Sequence, residues 1–386
     1  MFALLSLALL SVVVRVSGHS AFWHPSMYGF NVTDKTYPYD NRPVAPIKNM
    51  DFKTWWFHNH LDHPPNGGDF FELSAGKPAT AEIACNKGAT SFFASADGGD
   101  IRNPSNPNDP CPGSPSITYH TKSPDDLQGC ALAIAYKSDV NQVQPEDFTV
   151  FSVNHTCVSK RFTDFQVPAR MPPCPEGGCT CAFFWVHSPL TGGEENYMNG
   201  FKCNVTNTIS NIPLATPKVP RRCGADIENQ KLQASPANCT WGAKSPIYWY
   251  NKEKNNMFEG DFSPPVYNDK YNFIDGAQDD IFADSYLTIP DPSPSADMPV
   301  LADVSVKLPL NGTASVGSIP SSPASPASPF QARGCGHSAT LAKRDVDELK
   351  DVERDWKTFT RGGLKGMAQR RRSLKHVSRR NLWRMW

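Results

Sequence analysis

The stretch ALAIAYKSDVNQVQPEDFTVFSV, from Ala131 to Val153, is the one whose reading decides the fold class. Two apolar runs, Ala131–Tyr136 and Phe148–Val153, flank a polar segment rich in Ser, Asp, Asn, Gln and Pro. Each run has the length of a strand and is short for a helix, and the linking residues favour turns. The same grammar recurs outward in Thr80–Ala84, Ser91–Ala96 and Cys181–His187, with Gly, Pro, Asn and Asp clusters between the runs. No helical period persists from His19 to about Leu310, and there is no internal repeat. Short strands punctuated in this way predict an all-β fold, an immunoglobulin-like β-sandwich with long loops, rather than an α/β sheet.

The two ends read differently. Met1–Gly18 is MFALLSLALLSVVVRVSG, an apolar run from Phe2 to Val14 followed by the small residues of Val16-Ser17-Gly18. It is too short for a membrane span and has the form of a signal peptide cleaved after Gly18. Residues 19–310 are expected to form the folded domain, with an aromatic, acidic and proline-rich extension from about Trp241 to Val300 wrapping the sandwich. Residues 311–342, with their Ser-Pro repeats, read as an extended linker, and 343–386 as a disordered basic tail. Lys343-Arg344 is a dibasic pair at which that tail could be removed.

Of eleven cysteines, ten lie between Cys85 and Cys239, and Cys335 is isolated in the tail. The cluster Cys174, Cys179, Cys181 has no second zinc knuckle to pair with, so a disulfide framework is the better reading. Five N-x-S/T sequons, at Asn31, Asn154, Asn204, Asn238 and Asn311, agree with secretion. The formal charge is zero, with 38 basic and 38 acidic residues. Ten of the Lys and Arg fall in Lys357–Trp386, which has no Asp or Glu, so the rest is acidic by about ten charges. That sign excludes nucleic acid as the bulk electrostatic partner of the folded part and suits an uncharged polymer. No stable membrane insertion is expected, and a monomer is.

Cleavage after Gly18 makes His19 the first residue, with a free α-amine one chelate ring from its own imidazole. The amine has an ordinary pKa of about 7.7–8.0, so it can ligate near neutrality. Two such nitrogens suit the tetragonal preference of Cu(II), and one further imidazole completes a T-shaped set. His337, His376 and His155 are poor candidates for it, and His24 before Pro25 reads as a turn residue. His58, His60 and His63 resemble a metal cluster by themselves; in an extended segment His58 and His60 share a face, although the context Trp55-Trp56-Phe57 and Pro64-Pro65 suits a loop or strand end. His120 and His187 remain, and residue chemistry alone does not choose between them.

His19-Ser20-Ala21-Phe22-Trp23-His24-Pro25-Ser26-Met27-Tyr28-Gly29-Phe30, Trp55–His63, Trp185-Val186-His187-Ser188-Pro189 and Glu195-Asn196-Tyr197-Met198-Asn199-Gly200 occur in that order. From His19 to about Val300 the chain resembles the fungal lytic polysaccharide monooxygenases of auxiliary activity family 14. The resemblance implies one copper ion per chain held by His19 and His120, with Tyr197 axial. It leaves His187 as a hydrogen-bonding neighbour of activated oxygen. Many related monooxygenases carry a glutamine two residues before the tyrosine; Glu195 here either exchanges a proton with the oxygen species or faces solvent. The implied partners are an external electron donor and a plant cell-wall polysaccharide, xylan coating cellulose. Two other classes of function stay open: a non-catalytic copper-binding protein, and a carbohydrate-binding structural protein using Trp23 or Tyr28 as surface aromatics.

Overall fold

The computed structural model describes residues 19–33, 42–114, 127–187, 195–260, 263–293 and 298–302. All lie in the first of two units into which the chain divides, 1–308 and 309–386. The signal segment, His120, the linker, the basic tail, Cys335 and Asn311 lie outside the described residues.

The described residues form eleven strands: β1 (Ala21–Trp23), β2 (Phe71–Ser74), β3 (Pro78–Ala84), β4 (Cys130–Ala135), β5 (Thr149–Asn154), β6 (Phe162–Gln166), β7 (Cys179–Val186), β8 (Asn196–Thr206), β9 (Gly276–Ala277), β10 (Tyr286–Thr288) and β11 (Val300–Leu301). Six of them form a sheet in the order β2-β8-β7-β4-β5-β9, and three another in the order β1-β3-β6; β10 and β11 pair as a ribbon. The chain is an all-β sandwich.

The side-chain patterns explain which strand goes where. β6 alternates exposed and buried positions, as a strand with one wet face must. β4 and β7 are buried at every position, which requires cover on both faces. One face of the six-stranded sheet carries Leu132, Ile134, Phe183, Trp185, Tyr197 and Phe201, packed with Phe22, Ile83 and Phe165 of the smaller sheet. The other carries Ala133, Phe184 and Met198 and is covered by two irregular segments. The first holds Trp55, Trp56 and Phe57; the second holds Ile247, Tyr248, Trp249, Tyr267, Tyr271 and Phe273 of the aromatic extension.

All ten cysteines of the cluster are paired, as Cys85–Cys111, Cys130–Cys157, Cys174–Cys179, Cys181–Cys203 and Cys223–Cys239. The Cys181–Cys203 bond joins β7 to β8, the hairpin that carries the site described below.

One local expectation fails. Ser91–Ala96 is not a strand: it holds a 3₁₀ turn, Phe93–Ser95, behind another at Lys87–Ala89. Asn86 Oδ1 accepts from the Gly88 amide, and the Thr90 hydroxyl bonds both Lys87 O and the Phe92 amide. These short side-chain bonds offer the backbone a turn in place of a ladder. His58–His60 lies in a loop, as its sequence context suggested. Asp51 caps a single helical turn, α1 (Phe52–Trp55), followed by a 3₁₀ turn over Trp56–Asn59 in which Phe57, His58 and Asn59 have left-handed φ of 51–54°.

Candidate metal centre

The β7–β8 hairpin assembles three of the expected residues. Its register pairs Trp185 with Tyr197 and Val186 with Asn196, and the His187 amide continues the ladder to Glu195 O at 2.9 Å. With a period of two, Glu195, Tyr197, Asn199 and Phe201 share the face turned toward the small sheet. Tyr197 is fully buried and stacks on Trp185, centroids 4.5 Å apart and planes within 19°, while Trp185 also lies 5.6 Å from the His187 ring.

His19 reaches this face because the N-terminal strand lies along β8. Phe22 stacks on Phe201 at 4.2 Å, its amide is bonded to Asn199 Oδ1, and Met27 bridges to Phe201. His19 Nε2 then sits 3.5 Å from Glu195 Oε2, with its ring centroid 6.1 Å from that of Tyr197. The same Oε2 accepts a 3.0 Å hydrogen bond from the Tyr197 hydroxyl. A fourth group was not foreseen. The Ile47 amide bonds Asn196 O at 2.8 Å, which brings Lys48 Nζ to 4.0 Å from Glu195 Oε1. The site opens to solvent at His19, whose side chain is 31% exposed, against 15% for Glu195.

The electrostatics follow from this packing. Burial pushes the Glu195 carboxyl up, but hydrogen bonding and charge from His19, the Tyr197 hydroxyl and the charge of His187 outweigh it and bring it down to about 2. Burial, then the Glu195 charge and the bond to it, push the Tyr197 phenol well above its usual value. Glu195 is therefore a carboxylate at any working pH, and Tyr197 a neutral phenol whose proton points at it.

His187 has no exposed surface. His120, the expected third nitrogen, lies outside the described residues. Among those described, no three His, Cys, Asp or Glu side chains converge to hold a metal ion. His58 and His60 are each 2% exposed, their rings 5.9 Å apart and nearly parallel, with His63 6.0 Å beyond His60. They form no metal group, and His58 and His60 are not surface histidines, whereas His63 is part-exposed. Trp23 and Tyr28 are both 5% exposed, Trp23 donating to Ala84 O and Tyr28 set edge-on to Phe57. Neither forms a surface platform for a sugar, and the structural carbohydrate-binding reading loses the residues it named. His24 keeps its turn role, its Nδ1 2.8 Å from Ser26 Oγ.

Sequence reasoning missed Lys48, Trp185 and Asn199 as parts of this site. Lys48 carries no local signal, because its place depends on a loop hydrogen bond. The period of two from Tyr197 was the available signal for Asn199.

A family profile described as Lytic polysaccharide monooxygenase AA14 matches residues 1–380. The chain is 63% identical over 306 residues to AA14 family lytic polysaccharide monooxygenase B of Pycnoporus cinnabarinus, covering 78% of this chain and 81% of that one. Over 279 residues it is 66% identical to AA14 family lytic polysaccharide monooxygenase B of Trametes coccinea, covering 72% and 66%. Monooxygenase A of the same fungus is 56% identical over 283 residues, 73% of this chain and 65% of that one.

Proposed function

The chain belongs to the AA14 family of lytic polysaccharide monooxygenases, and from that premise we propose that it is a secreted copper enzyme that oxidatively cleaves xylan coating cellulose. Family membership makes it an oxidoreductase; the metal, the polymer and the compartment are argued as follows.

The donor chemistry fits copper. An imidazole and a neutral phenol lie side by side at a solvent-open edge, with one carboxylate touching both. His19 with its α-amine freed by cleavage, and His120, would supply three nitrogens, and Tyr197 would supply an oxygen. Bound there, copper supplies the one-electron chemistry by which an external reductant and O₂ or H₂O₂ lead to hydrogen abstraction at a glycosidic carbon.

The remaining roles belong to the protein. Trp185 holds the Tyr197 ring in one orientation by stacking, and Glu195 Oε2 keeps the phenol protonated by accepting its hydrogen bond. Glu195 stays a carboxylate beside His19 and the half-exposed Lys48, and its Oε1 serves there as a hydrogen-bond acceptor. His187 lies close enough to influence the Glu195 carboxyl and acts as a hydrogen-bond donor toward the reacting oxygen. A copper carrier needs none of these groups, so the Tyr197–Glu195 hydrogen bond is the observation that carries the catalytic reading.

Secretion is supported by the 1–18 segment, the five disulfides and four sequon asparagines at or near the surface, Asn31 most exposed. Among the described residues no helix is long and apolar enough to cross a membrane. Residues 19–310 are proposed as the catalytic domain, 311–342 as the linker and 343–386 as the basic tail. The decisive experiment compares protein beginning at His19 with protein carrying one extra residue before it. Copper spectra and reductant-dependent release of oxidised sugars from xylan-coated cellulose should both be lost in the extended form. Equal activity in the two forms overturns the role of the amine, and activity on bare cellulose but not xylan overturns the substrate.

A further inference from the structure

Among the described residues, His19 and Lys48 reach Glu195 from two separate pieces of chain, while Tyr197 stands beside it on β8, and one side chain of β8 is hydrogen-bonded to both pieces. Asn199 lies on β8 two residues beyond Tyr197, on the same face, and is 3% exposed. Its Oδ1 accepts from the Phe22 amide at 3.1 Å, three residues beyond His19. Its Nδ2 donates to Pro43 O at 2.9 Å, five residues before Lys48. We infer that Asn199 is a positioning residue that sets the distance of His19 from Tyr197, and that of Lys48 from Glu195, through these two bonds. The inference rests on His19 and Tyr197 being the metal-facing residues proposed above.

The reason lies in the edge of the small sheet. Among the described strands β1 is at the edge, paired with β3 through Ala21–Ala84, Phe22–Ile83 and Trp23–Glu82. The Phe22 amide points away from β3, toward the other sheet, in a residue with no exposed surface. No water reaches it, and a buried amide without an acceptor is strongly disfavoured. Asn199 Oδ1 meets that demand from β8, so the edge strand is fixed to the strand that carries the tyrosine. The Phe22–Phe201 stack resists separation of the strands, but an aromatic contact tolerates sliding. A hydrogen bond of defined direction does not.

The residue type matches the task. One partner is a donor and the other a carbonyl, so a side chain with both functions is required. The partners also settle the amide orientation, since only Oδ1 toward Phe22 N–H satisfies both. Alanine leaves both partners unsatisfied. Aspartate keeps the acceptor for Phe22 and, when ionised, loses the donor to Pro43.

The test uses full-length secreted protein with the His19 terminus, as wild type, Asn199→Ala, Asn199→Asp, His19→Ala and Thr180→Val. Thr180 is the control: its buried hydroxyl bonds Lys137 O at 2.9 Å, at the end of β7 away from the site. Two readouts are taken: hydrogen exchange of the Phe22 amide in metal-free protein, and Cu(II) affinity with its paramagnetic resonance spectrum. Asn199→Ala is expected to speed Phe22 exchange and to weaken copper affinity about tenfold, the lower end for loss of a group that orients a ligand. Asn199→Asp should return most of that affinity, and Thr180→Val should keep all of it. Wild-type affinity in Asn199→Ala, or an equal loss in Thr180→Val, overturns the inference. Unaltered Phe22 exchange in Asn199→Ala also overturns it. Copper binding alike in wild type and His19→Ala overturns the ligand reading itself, and is told apart because Phe22 exchange needs no metal.

Discussion

Two groups of histidines are candidates for metal binding in the sequence, and the structure treats them in opposite ways. His58, His60 and His63 are crowded into six residues of sequence, yet His58 and His60 are sealed in the second core, their Nε2 atoms buried with no hydrogen-bond partner. His19 has only His24 near it in sequence, yet it meets Glu195 and Tyr197, nearly 180 residues away along the chain, at a surface open to solvent. Density of ligand types along a chain is therefore poor evidence for a site. What counts is whether donors converge and whether a ligand can enter. Burial lowers His58 to about 4, and burial together with His58 and His63 lowers His60 to about 2, so both are neutral packing groups.

The sharpest way to break this contrast is to exchange the roles. His19→Ala should abolish copper binding and polymer oxidation, a loss of at least a hundredfold in rate. His58→Gln should leave copper stoichiometry at one per chain, measured by titration of folded protein. Retained stoichiometry in His19→Ala together with loss in His58→Gln reverses the assignment.

Next in size is the packing around the buried group. A Cβ on Gly29 meets His60 Nδ1 at 2.1 Å, and Gly29 has φ of +80°; a Cβ on Gly200 meets Phe57 Cδ1 at 2.0 Å. Gly29→Ala and Gly200→Ala should each cost about 3 kcal/mol through overpacking, with backbone strain added at Gly29. Denaturant titration measures this, and copper affinity of the folded fraction should stay near wild type.

Acid separates the two groups again. His58 and His60 are lowered, so between the usual pKa of 6.5 and the folded values the unfolded chain binds more protons and stability falls as pH falls. The slope is at most about 1.4 kcal/mol per pH unit for each group. Glu195, lowered to about 2, contributes stability that is present above its ordinary 4.5 and is lost only below it. Unfolding free energy should therefore decline from pH 6.5 to 4.5 in wild type and decline less in His58→Gln. An unchanged slope in that variant would mean His58 is not the titrating group. The smallest effect belongs to Tyr197→Phe, which keeps the Trp185 stack and loses one hydrogen bond, costing about 1 kcal/mol. It should also raise the Glu195 pKa, visible in a carboxylate titration followed by infrared absorption.

Much of the fold was legible because its signals are local. Runs such as Ala131–Tyr136 and Phe148–Val153 repeat at strand length, and both became strands within a residue at each end. Ser91–Ala96 misled because apolar content alone does not reveal that Asn86 and Thr90 hold the backbone in turns. The candidate site was drawn from the motifs of His19, Glu195, Tyr197 and His187, and the β7–β8 hairpin juxtaposes the last three. Lys48 and Asn199 were not legible, since a lysine in a loop and an asparagine in a strand look like many others.

By itself, then, the sequence determined the all-β class, the cysteine framework, and a His19 motif followed at a distance by a tyrosine-bearing strand. Periodicity, residue type and the cleavage signal are properties of neighbours along the chain. Only the tertiary structure decided that His58 and His60 are core, that Trp23 and Tyr28 are buried, and that Asn199 joins the three segments around Glu195. Those outcomes depend on which surfaces exclude water and which buried amides need an acceptor, and both are set when β1 closes over β8.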